Sequence, residues 1–199
     1  MQVLASPFKA LVLGGVLALL LLVTCVAAGA PADSHLARFL LRWLHVFAVI
    51  VWIGLVWFVN LVQLVALQEL DDAGRAAIAR SIAPRVALSF RHASTVTVIS
   101  GFALLALNGE LLQVLSMGLY GGGVASRHAI LGAGVWLGLL MWALVHFAIW
   151  PALKVMLGLV AASPEAKLEA RLRVRNYARI NLILSLPVSV AMVAPAHLL

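Results

Sequence analysis

Cysteine and acidic residues are scarce in this chain, and both shortages exclude chemistry. Cys25 is the only cysteine, so the chain cannot form an internal disulfide, and it has no CxxCH motif to attach a c-type haem. Charged residues make up 11% of the sequence, against about 25% in soluble domains. Zinc-finger spacing, glycine-rich phosphate loops and the G-x-S-x-G nucleophile turn are also missing. A soluble enzyme built on any of these motifs is therefore excluded.

Apolar residues are abundant instead, at 64% of the chain, and they are grouped in five long runs. A helix needs about 20 apolar residues to cross a bilayer. The pattern predicts an all-α integral membrane bundle of about five transmembrane helices, and 199 residues suit one compact bundle. The predicted spans are residues 10–30, 36–66, 91–107, 128–153 and 180–199.

The first run has two readings. Residues 1–30 form a signal anchor or first transmembrane helix, or else a signal peptide cleaved after the small residues Ala28-Gly29-Ala30. We expect a retained helix. Residues 31–199 then form the membrane bundle domain.

Three connections join the later spans. Residues 69–91 are polar, and we expect a short surface helix over 73–82 that starts after Asp71 and ends at Pro84. Residues 108–127 contain the triplet Gly121-Gly122-Gly123, which predicts a flexible loop. Residues 154–175 are predicted to be a charged connection.

Positive charge predicts the orientation of the bundle. The formal net charge is +7, but the basic residues lie between apolar runs, so we expect a lipid bilayer and no nucleic acid as partner. Eleven of the 14 basic residues fall on one side of the five-span arrangement. The positive-inside rule predicts that this side faces the cytoplasm of a bacterial plasma membrane. The N-terminus is then inside and the C-terminus outside. Those eleven are Lys9, Arg75, Arg80, Arg85, Arg91, Lys154, Lys167, Arg171, Arg173, Arg175 and Arg179. The other three are Arg38, Arg42 and Arg127.

A histidine lies inside the second apolar run. Ionisable groups are costly in a membrane and usually serve a purpose there. Helical spacing puts several residues on one face, namely Arg38, Arg42, His45, Trp52, Val56 and Gln63. Two interpretations fit this face equally: His45 ligates a haem or metal, or it bonds a neighbouring helix while the arginines reach lipid phosphate.

The topology sorts the remaining histidines by depth. The predicted outer group is His35, His45, His128 and His197, and the predicted cytoplasmic group is His92 and His146. His128 and His146 are 18 residues apart, or about 27 Å along one helix face. That layout resembles membrane cytochromes b, in which histidines from different helices hold haems at two depths. In the alternative interpretation, His92 and His128 are plain interfacial residues and His146 belongs to an aromatic belt.

Three motifs in order resemble the N-terminal membrane domain of cytochrome-c-type urate oxidases, the PuuD-type urate hydroxylases. The first is Arg42-Trp43-Leu44-His45 with Trp52-Ile53-Gly54. The second is Gly138-Leu139-Leu140-Met141 with Ile149-Trp150-Pro151. The third is Arg179-Ile180-Asn181, Leu184-Ser185-Leu186-Pro187, Met192 and His197. More distantly, the second run is similar to HemJ-like and copper-resistance membrane domains.

The resemblance implies a non-covalent haem b held by His45 and His197, with His128 as the alternative partner. Arg38, Arg42 and Arg127 would pair with haem propionates, and Trp52 and Gly54 would shape the pocket. Full-length members of that family carry a cytochrome c domain, which this chain lacks. We therefore expect an electron-transfer module, or an oxidoreductase membrane subunit, that passes electrons to a quinone, a cytochrome c or a larger membrane complex.

Two functions of other classes stay open at the level of sequence. One is transport of copper or another small cation, since thioethers favour Cu(I), although the methionines are scattered and form no pair motif. The candidates are Met117, Met141, Met156 and Met192. The other is a non-redox accessory subunit of a larger membrane complex.

Overall fold

The computed structural model describes residues 4–120 and 126–199, and every regular element in that part of the chain is helical. The glycine triplet of the predicted flexible loop lies outside these residues. The chain divides into two units, Met1–Leu40 and Leu41–Leu199. In chain order, with π1 and π2 for two π-helical stretches, the elements are α1 (Pro7–Ala27), α2 (Ser34–Trp57), π1 (Phe58–Gln63), α3 (Leu64–Glu69), α4 (Asp72–Ser81), α5 (Ala83–Leu107), α6 (Leu111–Leu115), α7 (Ser126–Ala143), π2 (Leu144–Ile149), α8 (Trp150–Met156) and α9 (Pro164–His197).

The predicted all-α class with about five spans is confirmed. Continuous helical stretches in the described residues are long and apolar enough to cross a membrane in five places. This is the architecture of a multi-pass membrane protein whose surroundings are lipid. The five stretches are Pro7–Ala27, Ser34–Glu69, Asp72–Leu107, Ser126–Met156 and Pro164–His197.

The first span, α1, begins at Pro7, directly after Ser6, whose hydroxyl accepts the Lys9 N–H at 3.5 Å. Proline suits this position because the first N–H groups of a helix have no intrahelical partner. The helix has 21 residues, or a length of about 31 Å, which matches the ~30 Å hydrocarbon core. None of its residues is buried within the protein. Such a surface fits a helix surrounded by lipid.

The third span begins earlier than predicted. The short helix predicted over 73–82 is present as α4, and the Asp71 carboxylate accepts the Gly74 N–H at 2.8 Å to cap it. However, α5 already begins at Ala83 rather than at residue 91, with Pro84 in its first turn. The proline therefore opens the next helix, in the one place where its missing N–H costs nothing.

The fifth span is also longer than predicted, because α9 begins at Pro164 inside the expected charged connection. The Ser163 hydroxyl accepts the Ala166 N–H at 3.2 Å and caps its first turn. Lysine, arginine and glutamate keep a segment out of hydrocarbon, but they are good helix formers. With 34 residues, or about 51 Å, α9 must project well beyond the bilayer core.

Small side chains dominate the interior of the second unit, around a central cluster of Trp52, Val56 and Met141. Lipid tails are as apolar as leucine, so membrane helices associate through small residues that let their backbones approach. The buried small and polar residues are Ala48, Ala83, Ser94, Thr97, Ser100, Ala152, Ala170, Ala178, Asn181, Ser185, Ala191 and Ala194.

Two glycines of α7 allow close helix packing. Gly134 and Gly138 have the G-x-x-x-G spacing typical of a packing face, and a Cβ on Gly134 would lie 3.0 Å from the Ala191 Cβ of α9. A Cβ on Gly138 would meet no atom within 4 Å, so only the first glycine of this pair packs closely. The second close approach is at Gly132, where a Cβ would overlap the carbonyl oxygen of Val114 in α6.

This packing yields a stability prediction. Gly132→Ala should lower the free energy of unfolding by about 1–3 kcal/mol, because a backbone carbonyl cannot rotate away from the new methyl group. Gly138→Ala is the matched control on the same helix, and it should be neutral or stabilising by about 0.5–1 kcal/mol because alanine favours helix. Thermal unfolding of the purified proteins in mild detergent measures both. Equal midpoints would contradict the packing described.

Candidate functional site

The His45 side chain joins α2 to α5. Its ring lies against Gly101, where a Cβ would come within 2.9 Å of Cε1. Nδ1 lies 2.9 Å from the backbone carbonyl oxygen of Thr97 and 3.3 Å from the Ser100 hydroxyl. An imidazole reaches the α5 backbone only because position 101 has no side chain. The small and hydroxyl residues of α5 thus form a close-fitting site for the His45 ring.

The Thr97 contact determines which ring nitrogen of His45 carries the proton. A carbonyl oxygen can only accept, so Nδ1 donates its hydrogen to Thr97. In the neutral ring, Nε2 then keeps its lone pair, and it has no hydrogen-bond partner in the described part of the chain. Histidines that bind metals through Nε2 usually donate Nδ1–H to a carbonyl or carboxylate in this way. His45 is therefore prepared to act as a nitrogen donor.

His146 is held very differently, within π2. Its Nδ1 donates to the Trp142 carbonyl at 3.0 Å, its Nε2 lies 3.1 Å from the Thr95 hydroxyl, and its ring packs on the Trp142 ring at 4.6 Å between centroids. The Trp142 indole N–H also donates to Thr95, at 3.3 Å. Both nitrogens of His146 are thus engaged, and ligation would require breaking one of these contacts.

His128 and Arg127, at the start of α7, share one acidic partner. Arg127 lies 3.3 Å and His128 Nε2 3.6 Å from the Glu110 carboxylate. Glu110 neutralises the charge that was predicted to meet a haem propionate. The sequence analysis overlooked this carboxylate, although an acidic residue in the loop before a predicted Arg-His site is a readable signal.

The remaining predicted ligands and arginines make no polar contact in the described residues. His92 is exposed on α5, and His197 is exposed as the last residue of α9. Arg42 is exposed one turn before His45 on α2, whereas Arg38, in the first unit, is partly buried and its Nε has no partner. The structure does not bring a second imidazole to His45 among the contacts it describes.

Trp52 and Gly54 do not line one space. Trp52 is only 3% exposed and packs in the central cluster. Gly54 follows Trp52 by two positions, which on a helix is a rotation of about 200°. Gly54 is exposed, and a Cβ added to it would meet no atom within 4 Å. The glycine that admits a flat ring is Gly101, and the ring it admits is that of His45.

Buried polar groups form a feature that the sequence analysis did not assign. The Trp52 indole N–H and both amide atoms of Asn181 are buried without a hydrogen-bond partner among the described residues, and so are Asn60 Oδ1 and Gln63 Oε1. Such groups cost about 1–3 kcal/mol each when unpaired, so water or a ligand is expected to meet them. The sequence signal for these buried groups is an amide residue inside an apolar run, as at Asn60, Gln63 and Asn181.

The arrangement of possible ligand side chains gives no support for a metal ion bound by the protein alone. Within residues 4–120 and 126–199, no three His, Cys, Asp or Glu side chains come together as a metal site. A haem differs because its ring supplies four ligands, so one or two imidazoles suffice.

No family model, curated protein or solved structure matches this chain. The resemblance to urate oxidase membrane domains therefore stays a prediction.

The packing of His45 against Gly101 can be tested with a double-mutant cycle. Gly101→Ala should push the ring away from Thr97 and lower the free energy of unfolding by about 1 kcal/mol, the net value of one hydrogen bond. In a His45→Ala background the same change should be neutral or stabilising, since the obstacle is gone and alanine favours helix. Denaturant unfolding in detergent gives the coupling free energy. Additive effects would show that the two residues do not touch.

Proposed function

We propose that this protein binds haem b within the membrane and transfers electrons, with His45 Nε2 as an axial ligand of the iron. One observation carries the proposal: Nδ1 donates to the Thr97 carbonyl at 2.9 Å, which leaves Nε2 as the donor atom. Imidazole is a common axial ligand of haem iron. The bound group would supply one-electron chemistry, while the protein supplies the donor atom, its orientation and a dry setting.

Arg42 is the residue that would meet an acidic edge of the bound group. Arg42 lies three residues earlier on α2, a spacing that puts both side chains on one side of the helix. It is exposed and forms no ion pair among the described residues. Arg127 already contacts Glu110, so Arg42 is the better placed partner for a haem propionate. Charge-assisted hydrogen bonds from arginine to carboxylate are the strong kind.

A second axial ligand is a separate part of the proposal. His197 and His128 remain the predicted partners. His197 is the last residue of α9, and His128 lies at the start of α7. Neither is committed to a strong internal bond, since His197 has no polar contact in the described residues and His128 lies 3.6 Å from Glu110. His146 is less suited, because both of its nitrogens are engaged.

The proposed setting is a bacterial plasma membrane. Its support is the uneven distribution of basic residues between the two sides of the bundle, which matches the positive-inside rule. Electrons would pass to a quinone, a separate cytochrome c or a larger membrane complex.

An optical spectrum tests this function. Protein purified in mild detergent from haem-replete cells should show a Soret band, and reduction should sharpen its visible bands. His45→Ala should reduce the haem-to-protein ratio about tenfold or more, because the donor atom is lost. His35→Ala is the matched control: His35 is exposed and bonded to Asp33 at 2.9 Å, so its loss should leave haem content unchanged.

Two results would contradict the proposal. One is wild-type protein with no Soret band, and the other is a His45→Ala protein that retains its full haem content. Elemental analysis of the same samples separates the copper alternative, because copper without iron in wild-type protein would indicate cation transport instead.

A further inference from the structure

A cavity of about 510 Å³ lies in the second unit, far along α2 from His45. Its walls come from the end of α2 and from π1, α3, α4, α5, π2, α8 and α9, and most of the wall is aliphatic or aromatic, including Leu64, Val86, Phe90 and Leu153. Its volume falls within the ~300–1,000 Å³ typical of small-molecule sites. The cavity lies at the end of the bundle that the charge distribution predicts to be cytoplasmic.

Positive charge is concentrated on this cavity. Five arginines and a single acidic residue, Asp72, line it. Two of the five are already engaged: Arg75 pairs with Asp72 at 3.2 Å, and Arg91 lies over the Trp150 ring at 4.9 Å. The other three form no ion pair among the described residues. They are Arg171, Arg175 and Arg179.

These three arginines form a row along α9. Their spacing of four residues brings each back to nearly the same side of the helix. Arg173, which lies between them in sequence, does not line the cavity and pairs with Glu169 at 2.9 Å. One face of α9 thus presents three guanidinium groups without carboxylate partners to an apolar cavity. Arginine in such a setting recognises phosphate or carboxylate.

Two amide side chains also belong to the wall of the cavity. Asn60 and Gln63 of π1 line the cavity, and their amide oxygens are buried without a hydrogen-bond donor in the described residues. The Asn60 Nδ2 donates to the carbonyls of Val56 at 2.8 Å and Ala178 at 3.1 Å, which fixes which amide atom is the oxygen. Ala178 lies between Arg175 and Arg179 on α9. The unpaired acceptors are therefore close to the row of arginines.

Both π-helical stretches contribute to this cavity. π1 supplies Asn60 and Gln63, and π2 supplies Val145 and Ile149. A π-helical turn holds an extra residue, costs stability, and is found frequently at functional sites. Two such turns therefore meet, on one cavity, three arginines that form no ion pair among the described residues.

We propose that this cavity binds an anionic phospholipid, drawn from the cytoplasmic leaflet. The phosphate meets the row of arginines on α9, and the upper part of an acyl chain lies on the aliphatic wall. Basic pockets between membrane helices are known to hold such headgroups. This site is separate from His45 and does not depend on haem binding.

Native mass spectrometry of delipidated protein in mild detergent tests the proposal. Wild-type protein should bind one phosphatidylglycerol at least tenfold more tightly than phosphatidylcholine. The double variant Arg175→Gln/Arg179→Gln should weaken phosphatidylglycerol binding about 25-fold, at about fivefold for each lost cation. The single variant Arg171→Gln should weaken it about fivefold and serves if the double variant does not fold. Arg173→Gln is the matched control and should stay within twofold of wild type.

The apolar contact has its own test. Inorganic phosphate at 10-fold excess should not displace the lipid, because it lacks the apolar part. The proposal is overturned by equal affinity for the two phospholipid classes, by equal losses in the Arg173 and Arg175/Arg179 variants, or by full displacement with inorganic phosphate, which would indicate a soluble anion.

Discussion

The hydrogen bond from His45 to the Thr97 carbonyl is the interaction on which this account depends. The Thr97 carbonyl oxygen also accepts a hydrogen bond from the Ser100 hydroxyl of the same helix, at 3.2 Å. The bond from His45 therefore adds a contact between α2 and α5. It also selects one tautomer of the ring. The same contact that supports the bundle therefore leaves a nitrogen lone pair available, and this double consequence links the fold to the proposed chemistry.

Close approach of backbones makes that bond possible. In lipid there is no hydrophobic force to draw helices together, so contact area and interhelical hydrogen bonds must do so. Gly101 lets an imidazole touch α5, and Gly132 and Gly134 let α7 touch α6 and α9. Several amide and indole groups are buried without a hydrogen-bond partner among the described residues. Water is expected at such positions, and two of these side chains, Asn60 and Gln63, belong to the wall of the arginine-rich cavity.

Much of the fold could be predicted from sequence, because long apolar runs and the need to satisfy backbone hydrogen bonds allow few structures in a bilayer. Helix ends were harder to predict. Charged residues indicated where hydrocarbon stops but not where a helix stops, so the starts of α5 and α9 were placed too late. The site was predictable only in part: His45 stands out as an ionisable group in an apolar run, whereas its partner is a backbone carbonyl, which has no sequence signal. The cavity arginines were visible as positive charge, but only the packing of α9 shows which of them share a face.

The tautomer of His45 is the quantity that tests the central claim most directly. Nitrogen-15 spectra of histidine-labelled protein in bilayers, with His45 assigned by the difference from a His45→Gln sample, report which nitrogen is protonated. The account predicts a neutral ring protonated at Nδ1 in haem-free protein, with the Nε2 signal changed when haem is added. A ring protonated at Nε2, or at both nitrogens at neutral pH, would contradict it.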